Sequence, residues 1–196
     1  MGVLQRLLGS RGPVKWPTRA LVDRELVLVR PSASLIELMV ESDPDTPDAV
    51  TRARMHDLLA RAPGGVERGS WLKDTVPALH FLMRLQDDDP VPIAGAVGLR
   101  IGDTEDLRMY AGHVGYHVHR KARGRAYAER SVRLVLPVAK ALGMRELFIT
   151  ANPENAASRR TIEKLGGDYL DIVDVPKGHP LHRAGEKRKA RYRLEL

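Results

Sequence analysis

The chain has 196 residues and no cysteine, so it is long enough for one well-buried core, and its composition excludes disulfides, thiolate metal sites and a cysteine acyl-enzyme. No apolar run approaches the length of a membrane span, and residues 1–10 lack the long apolar core of a signal peptide, so we expect a cytoplasmic protein without a membrane partner. The formal net charge of +7 is concentrated at residues 120–125 and 177–193, but only 5% of residues are aromatic and could stack on bases, so we expect no nucleic-acid partner.

The predicted elements form one α/β domain at residues 25–196, preceded by a surface arm at residues 1–24. The arm has little strand pattern and is punctuated by Gly12, Pro13 and Pro17. Hydrophobic periodicity and turn residues define the remaining elements. In chain order these are a strand at 25–30, helices at 32–41 and 47–61, an antiparallel meander of strands at 79–85, 91–101 and 112–118, a helix at 125–142, a strand at 146–150, a helix that begins near Asn152 or Asn155, and a basic hairpin loop at 187–189.

The helix at 125–142 has the clearest pattern of these elements. Apolar residues recur at helical spacing from Ala128 to Leu142, and Gly143 supplies a stop. Pro137 lies inside the helix, so we expect one turn to be bent or loosened there.

The turn between the strand at 112–118 and this helix is the most informative segment of the chain. It reads Arg123-Gly124-Arg125-Ala126-Tyr127-Ala128 and opens a helix soon after a strand ends. Such a turn directs backbone N–H groups and the positive end of the helix dipole towards one point, where an anion binds. The small residues allow a ligand to approach the backbone closely, and the two arginines add positive charge. The segment therefore predicts a phosphate site.

The same segment resembles the pyrophosphate loop of the GNAT superfamily of acyl-CoA-dependent N-acetyltransferases, whose pattern is Gln/Arg-x-x-Gly-x-Gly/Ala. In this register Ala126 adds a methyl group where the backbone should nearly touch a phosphate. A second register, which begins at Lys121, would place Gly124 in the first glycine position. We adopt the first register because it keeps the family's distance from Val118 to the loop.

A second resemblance follows the strand at 146–150. The segments Asn155-Ala156-Ala157-Ser158 and Lys164-Leu165-Gly166 resemble the family's Asn-x-x-Ala/Ser helix that ends in Lys-x-Gly. In the family this helix meets the pantetheine arm of the coenzyme. Shorter strings at 95–100, 112–116 and 191–196 resemble one mainly bacterial branch.

The resemblance implies an α/β (α+β) fold, with a mixed, mostly antiparallel sheet that is flanked by helices and splayed between its fourth and fifth strands. It implies acetyl-CoA as co-substrate and direct acetyl transfer to a primary amine of a small molecule or a peptide. A second copy of the chain, as in a homodimer, is a further candidate partner. The implied coenzyme-binding residues are Tyr116, His117, Val118, Arg123, Gly124, Arg125, Ala126, Tyr127, Ala128, Asn155 and Ser158.

The resemblance also implies catalytic roles for two hydroxyl groups. The family's usual tyrosine acid corresponds to Ile162 here, so Ser158 becomes the candidate partner of the leaving thiolate. A helix serine can equally bond to its own turn. Tyr116 lies on the strand that polarises the thioester carbonyl in the family, and it could position substrate or pack in the core.

The general base has three candidates. His113 lies where the strand enters the cleft, and a neutral imidazole is available near pH 7. Glu105 and Asp106, on the preceding loop, are its rivals.

A metal site is not expected. His113, His117 and His119 would share one face of a regular strand, but no carboxylate joins them by spacing and acetyl transfer needs no metal. The three acids at 87–89 lie on a strand-to-strand turn, which favours a solvated loop.

The favoured interpretation is therefore an N-acetyltransferase. Ala126 and Ile162 depart from the family's pattern and motivate an alternative of another class, a coenzyme A-binding regulatory or interaction module without turnover. A basic nucleic-acid-binding domain ranks third.

Overall fold

The computed structural model describes residues 14–42, 57–67, 76–86 and 91–196. In these residues the chain forms two antiparallel sheets with helices on both faces of the first. No helix of the described part is long and apolar enough to cross a membrane.

The first sheet has the strand order β1-β2-β4-β5-β6, with β3 beside β4. Its pairings are all antiparallel. Strand β4 is buried at nearly every position, because both faces of the sheet are covered, and its sequence is correspondingly almost continuously apolar. The strands are β1 (Leu21–Asp23), β2 (Leu26–Val29), β3 (Val66–Glu67), β4 (Ala78–Leu85), β5 (Ile93–Arg100) and β6 (Val114–Val118).

The second sheet has the order β7-β9-β8, and its pairings are also antiparallel. The central strand buries alternate side chains, which is the period of a strand with one face on the core. The strands are β7 (Glu146–Ala151), β8 (Asp168–Asp174) and β9 (Arg188–Glu195).

The helices are α1 (Ala33–Ser42), α2 (Tyr127–Ala141), α3 (Ala156–Lys164) and α4 (Pro180–Arg183). Residues 57–61 are also helical. On α2 the side chains of Val132, Val135 and Ala139 repeat at helical spacing and are completely buried in the main core. Burial of each valine contributes roughly 1.5–3 kcal/mol relative to exposure, so α2 is firmly seated on the sheet.

The two sheets part between β6 and β7, which are edge strands of different sheets. They are joined near the start of β6, where the His113 backbone N–H donates to the Phe148 carbonyl at 2.6 Å. This is the splay expected between the fourth and fifth strands of the family. The family's fourth and fifth strands correspond to β6 and β7 here, because the short strands β1 and β3 come before them and are also numbered.

The fold class is confirmed, and the predicted segments 32–41, 79–85, 125–142 and 146–150 agree with α1, β4, α2 and β7 to within two residues at each end. Helix α2 continues through Pro137, which is exposed. The predicted segments at 47–56 and 87–90, and residues 1–13 of the arm, lie outside the described residues.

Two segments differ from the prediction. Leu21–Asp23, in the stretch assigned to the arm, is strand β1, which pairs with β2 through a turn that holds Arg24 at φ 50°. The sequence offers no glycine at this left-handed position, so the hairpin carries no turn signal. The predicted basic loop at 187–189 lies mostly in strand β9, where Arg188 and Lys189 pair with Asp174 and Val173 of β8.

Candidate functional site

A cavity of about 600 Å³ opens where the two sheets part. It is bounded by the C-terminal end of β6, the turn that leads into α2, and one face of α3. Every residue predicted to bind the coenzyme lines it except Arg125: Tyr116, His117, Val118, Arg123, Gly124, Ala126, Tyr127, Ala128, Asn155 and Ser158.

The turn into α2 has two residues in the left-handed region of backbone conformation. Gly124 has φ 86° and Ala126 has φ 56°. A methyl group on Gly124 would meet no described atom within 4 Å, so glycine is favoured there by conformation and not by crowding. The same conformation costs Ala126 about 1–2 kcal/mol of conformational free energy, because its Cβ approaches the following carbonyl oxygen. The Arg123 Nε donates to the Val118 carbonyl at 3.1 Å and ties the turn to the end of β6.

The N-terminus of α2 points into the cavity without a side-chain cap from its own N-cap residue. That residue is Ala126, which has no polar side-chain atom. The first turn of the helix therefore presents backbone N–H groups and the positive end of the helix dipole to a ligand. Arg123, Arg160 and Lys164 also line the cavity and add positive charge. This combination suits a phosphate or diphosphate group.

Arg125 is directed away from the cavity. Its guanidinium lies 5.0 Å from the centre of the Tyr127 ring and 3.9 Å from a carboxylate oxygen of Glu25. Glu25 also accepts hydrogen bonds from Arg130 at 2.8 Å and from the Tyr127 hydroxyl at 3.1 Å. The carboxylate on the far side of the turn thus attracts Arg125, a partner that the loop sequence alone does not reveal.

Tyr116 and Ser158 meet across the cavity. The two hydroxyl oxygens are 2.8 Å apart, and the Tyr116 hydroxyl is 3.3 Å from the Ser158 carbonyl oxygen. Burial raises the pKa of the Tyr116 phenol, so this group is a proton donor at neutral pH. Asn155 caps α3 by accepting the Ser158 backbone N–H at 3.0 Å, which decides between the two candidate N-caps.

His113 is not brought to the cavity with these residues. It is buried, and both of its ring nitrogens make hydrogen bonds. The Phe148 backbone N–H donates to Nδ1 at 2.8 Å, so the proton resides on Nε2, which donates to the Gly102 carbonyl at 3.0 Å. Burial lowers the pKa of His113 and favours this neutral form. His113 therefore joins the start of β6 to β7 through these hydrogen bonds. Its position does not support the predicted role of general base.

The rival acids and the remaining histidines lie in different surroundings. Glu105 is exposed, and Asp106 is 2.6 Å from the His179 Nε2. His117 is exposed and lines the cavity, whereas His119 is buried beyond the end of β6. In the part of the chain that the structure describes, no three acidic or histidine side chains are grouped as metal ligands.

Among the residues of the cavity wall that the predicted set lacks, Arg160, Thr161 and Lys164 share one helix, α3. They extend the face of α3 that begins at Ala157, at spacings of three and four residues. Helical periodicity continued from the predicted coenzyme helix would have found them.

Comparison with known proteins identifies the family. A family model described as acetyltransferase (GNAT) domain matches residues 25–168, more than half of the chain. A search of curated protein sequences found no match.

Solved structures share the fold at low sequence identity. The acetyltransferase (GNAT family) from Bacillus anthracis has a TM-score of 0.61 and 14% identity, over 90% of this chain and 98% of that chain. The microcin C7 self-immunity acetyltransferase MccE, solved with acetyl-CoA and AMP, has a TM-score of 0.61 and 13% identity, over 90% and 94% of the two chains. RimL, a ribosomal L7/L12 alpha-N-protein acetyltransferase solved with coenzyme A, has a TM-score of 0.59 and 15% identity, over 91% and 98%.

At these identities the structural matches establish the fold, and the family model carries the assignment. The chain belongs to the GNAT acetyltransferase family and is an acetyl-CoA-dependent acyltransferase.

Proposed function

We propose that the cavity binds acetyl-CoA and that the enzyme transfers the acetyl group directly to a primary amine. One observation carries this proposal: a single cavity joins the left-handed turn at Gly124 and Ala126 to the hydroxyl pair of Tyr116 and Ser158. The turn suits a diphosphate, and the hydroxyl pair suits a leaving thiolate.

In this proposal the coenzyme is held by the N-terminus of α2, by basic side chains of α3 and by the backbone of β6. The diphosphate lies at the N-terminus of α2, where Arg123 supplies charge beside the helix dipole. Arg160 and Lys164 on α3 neutralise the remaining negative charge of the coenzyme's phosphates. The pantetheine arm follows the backbone of β6 from His117 towards Tyr116.

Tyr116 is the proton donor to the leaving sulfur, and Ser158 orients it. The family's usual tyrosine position is Ile162 here, and this side chain is completely buried. Tyr116 instead approaches from β6 and reaches the same helix through its 2.8 Å contact with Ser158. A phenol is closer in acidity to a thiol than a serine hydroxyl is, so Tyr116 is the better donor of the pair.

Transfer is direct in this proposal, without an acetylated enzyme. The chain has no cysteine, and the Ser158 hydroxyl is bonded to a phenol instead of to a general base. The acceptor is an amine of a small molecule or of a peptide in the cytoplasm. Because RimL is named as an alpha-N-protein acetyltransferase, peptide N-termini belong among the acceptors to be tested.

The test is to incubate the purified protein with acetyl-CoA and a panel of amines, and to follow release of the free thiol. The panel contains amino acids, polyamines, aminoglycosides, lysine peptides and peptides with free N-termini. We expect amine-dependent thiol release with at least one class. Calorimetry with acetyl-CoA runs in parallel, and binding without any amine-dependent release would favour the regulatory module that Ala126 and Ile162 suggest.

A further inference from the structure

A histidine and a glutamate form a pair on the face of the first sheet that α1 covers. His80 on β4 and Glu67 on β3 approach to 2.9 Å, from the ring Nε2 to a carboxylate oxygen. The other oxygen of Glu67 accepts from Arg61 at 2.7 Å. An ionised carboxylate only accepts hydrogen bonds, so in the neutral ring Nε2 carries the proton and Nδ1 keeps its lone pair.

Two glycines lie beside His80 on the same face. His80 pairs with Gly98 on β5, and Gly98 pairs with Gly115 on β6. A Cβ atom on Gly98 would lie 3.4 Å from the His80 Nδ1, and one on Gly115 would lie 3.6 Å from an Arg100 guanidinium nitrogen. We call the strip formed by these two glycines the glycine trough (Gly98 and Gly115); the His80 ring and the Arg100 guanidinium lie beside it. Glycines inside strands weaken a sheet and often mark a site where a ligand approaches the backbone closely.

The glycine trough ends at the strand that carries Tyr116. Side chains alternate across a strand, so Gly115 faces the glycine trough while Tyr116 faces the cavity with Ser158. Strand β6 is the edge of its sheet, so a group held at this edge is accessible from both faces. Tyr116 approaches this edge from the cavity face, whereas the glycines and His80 lie on the opposite face.

We propose that the acceptor amine lies in the glycine trough and that His80 is its general base, oriented by Glu67. This inference rests on the proposed acetyl transfer. The amine nitrogen forms a bond with the acetyl carbon while its proton passes to the His80 Nδ1. The carbon–sulfur bond breaks, its electron pair leaves on sulfur, and the sulfur takes the proton of the Tyr116 hydroxyl. Water carries the proton from His80 back to Tyr116.

The charges around His80 suit this role. Burial lowers the pKa of the His80 ring, the Glu67 carboxylate opposes that effect, and Arg100 and Arg61 lower the pKa further. The neutral imidazole therefore predominates at neutral pH and keeps Nδ1 available for a proton. A side chain 24% exposed is also reachable by a substrate.

The test compares His80→Gln and Glu67→Gln with wild type in the pH profile of kcat/KM for the best amine of the panel. We expect His80→Gln to lose about 10²-fold or more, the usual contribution of a general base, and to lose the acidic limb of the profile. Glu67→Gln should retain activity but move the acidic limb to lower pH, because the anion that raises the pKa of His80 is gone. His182→Gln, on α4, is the matched control and should keep the wild-type profile.

A second variant tests the glycine trough itself. Gly115→Ala meets its nearest described neighbour at an ordinary contact distance of 3.6 Å, so the protein should fold and bind acetyl-CoA normally. The added methyl group narrows the glycine trough, and we expect the KM for the amine to rise several-fold. Circular dichroism and acetyl-CoA calorimetry check folding and coenzyme binding.

Two results overturn this inference alone: an active His80→Gln enzyme with the wild-type acidic limb, or a Gly115→Ala enzyme with wild-type KM. A wild-type protein that binds acetyl-CoA but acetylates no amine overturns the proposed function and this inference together.

Discussion

The hydroxyl groups of Tyr116 and Ser158 lie 2.8 Å apart and connect β6 to α3 across the candidate coenzyme cavity. Tyr116→Phe removes the proton donor but keeps the ring, so we expect kcat to fall about 10²-fold, the usual contribution of a general acid, while the acetyl-CoA Kd is nearly unchanged. Ser158→Ala should have a smaller effect in the same direction. Steady-state kinetics and calorimetry supply the two measurements.

Tyr169→Phe is the control for this substitution, because that side chain is 51% exposed on the edge strand β8. It should keep the wild-type rate. A Tyr116→Phe enzyme with wild-type kcat would show that the sulfur leaves without help from this hydroxyl.

Ala126 provides a test of backbone strain at the turn. A φ of 56° strains an alanine but not a glycine. Ala126→Gly should therefore raise the free energy of unfolding by roughly 1 kcal/mol. Arg24 has φ 50° in the β1–β2 hairpin, and Arg24→Gly should give a similar gain. Urea unfolding measures both. A loss of stability in Ala126→Gly alone would mean that the alanine methyl group makes contacts that outweigh the strain.

Glu25 makes folding stability depend on pH. Hydrogen bonds from Arg130, above all, lower its pKa to about 2 from 4.5. A carboxylate with a lowered pKa stabilises the fold above its unfolded pKa, and the contribution disappears as the pH falls from about 4.5 towards 2. Glu25→Gln should therefore reduce stability at pH 7, by less than about 1 kcal/mol because the pair is partly exposed, and the difference from wild type should shrink in that acid range.

Thermal unfolding of both proteins from pH 7 to pH 2.5 measures this effect. Glu195→Gln serves as the control, since that carboxylate is 77% exposed and 3.6 Å from its arginine partner. A deficit of Glu25→Gln that stays constant with pH would contradict the ion-pair explanation.

The parts of the site with local sequence signals were predictable. The turn at Arg123 to Ala128 combines small residues, charge and the start of a helix, and these features act within a few residues of one another. The N-cap of α3 at Asn155 is local in the same sense, because the bond to the Ser158 N–H spans three residues.

The parts that depend on distant residues were not predictable. The Arg125 side chain is directed away from the cavity because Glu25, about a hundred positions earlier in the sequence, lies beside it in the fold. His113 is occupied on both nitrogens by backbone groups of Gly102 and Phe148, and the latter belongs to the other sheet. No side chain of strand β8 is fully buried, and the strand is stabilised by pairing with β9, so its own sequence carries little pattern.

The measurement that tests the central claim most directly is acetyl-CoA binding by Gly124→Val against Gly185→Val. Both glycines have left-handed φ angles, 86° and 94°, and a methyl group on either meets no described atom within 4 Å. The two variants should therefore lose similar stability, roughly 1–2 kcal/mol. At saturating acetyl-CoA, wild type and Gly185→Val should show a clear rise in Tm, since a ligand at 100 times its Kd adds about 2.7 kcal/mol. We predict that Gly124→Val folds but shows no such rise. Wild-type acetyl-CoA affinity in Gly124→Val would contradict the placement of the coenzyme at this turn.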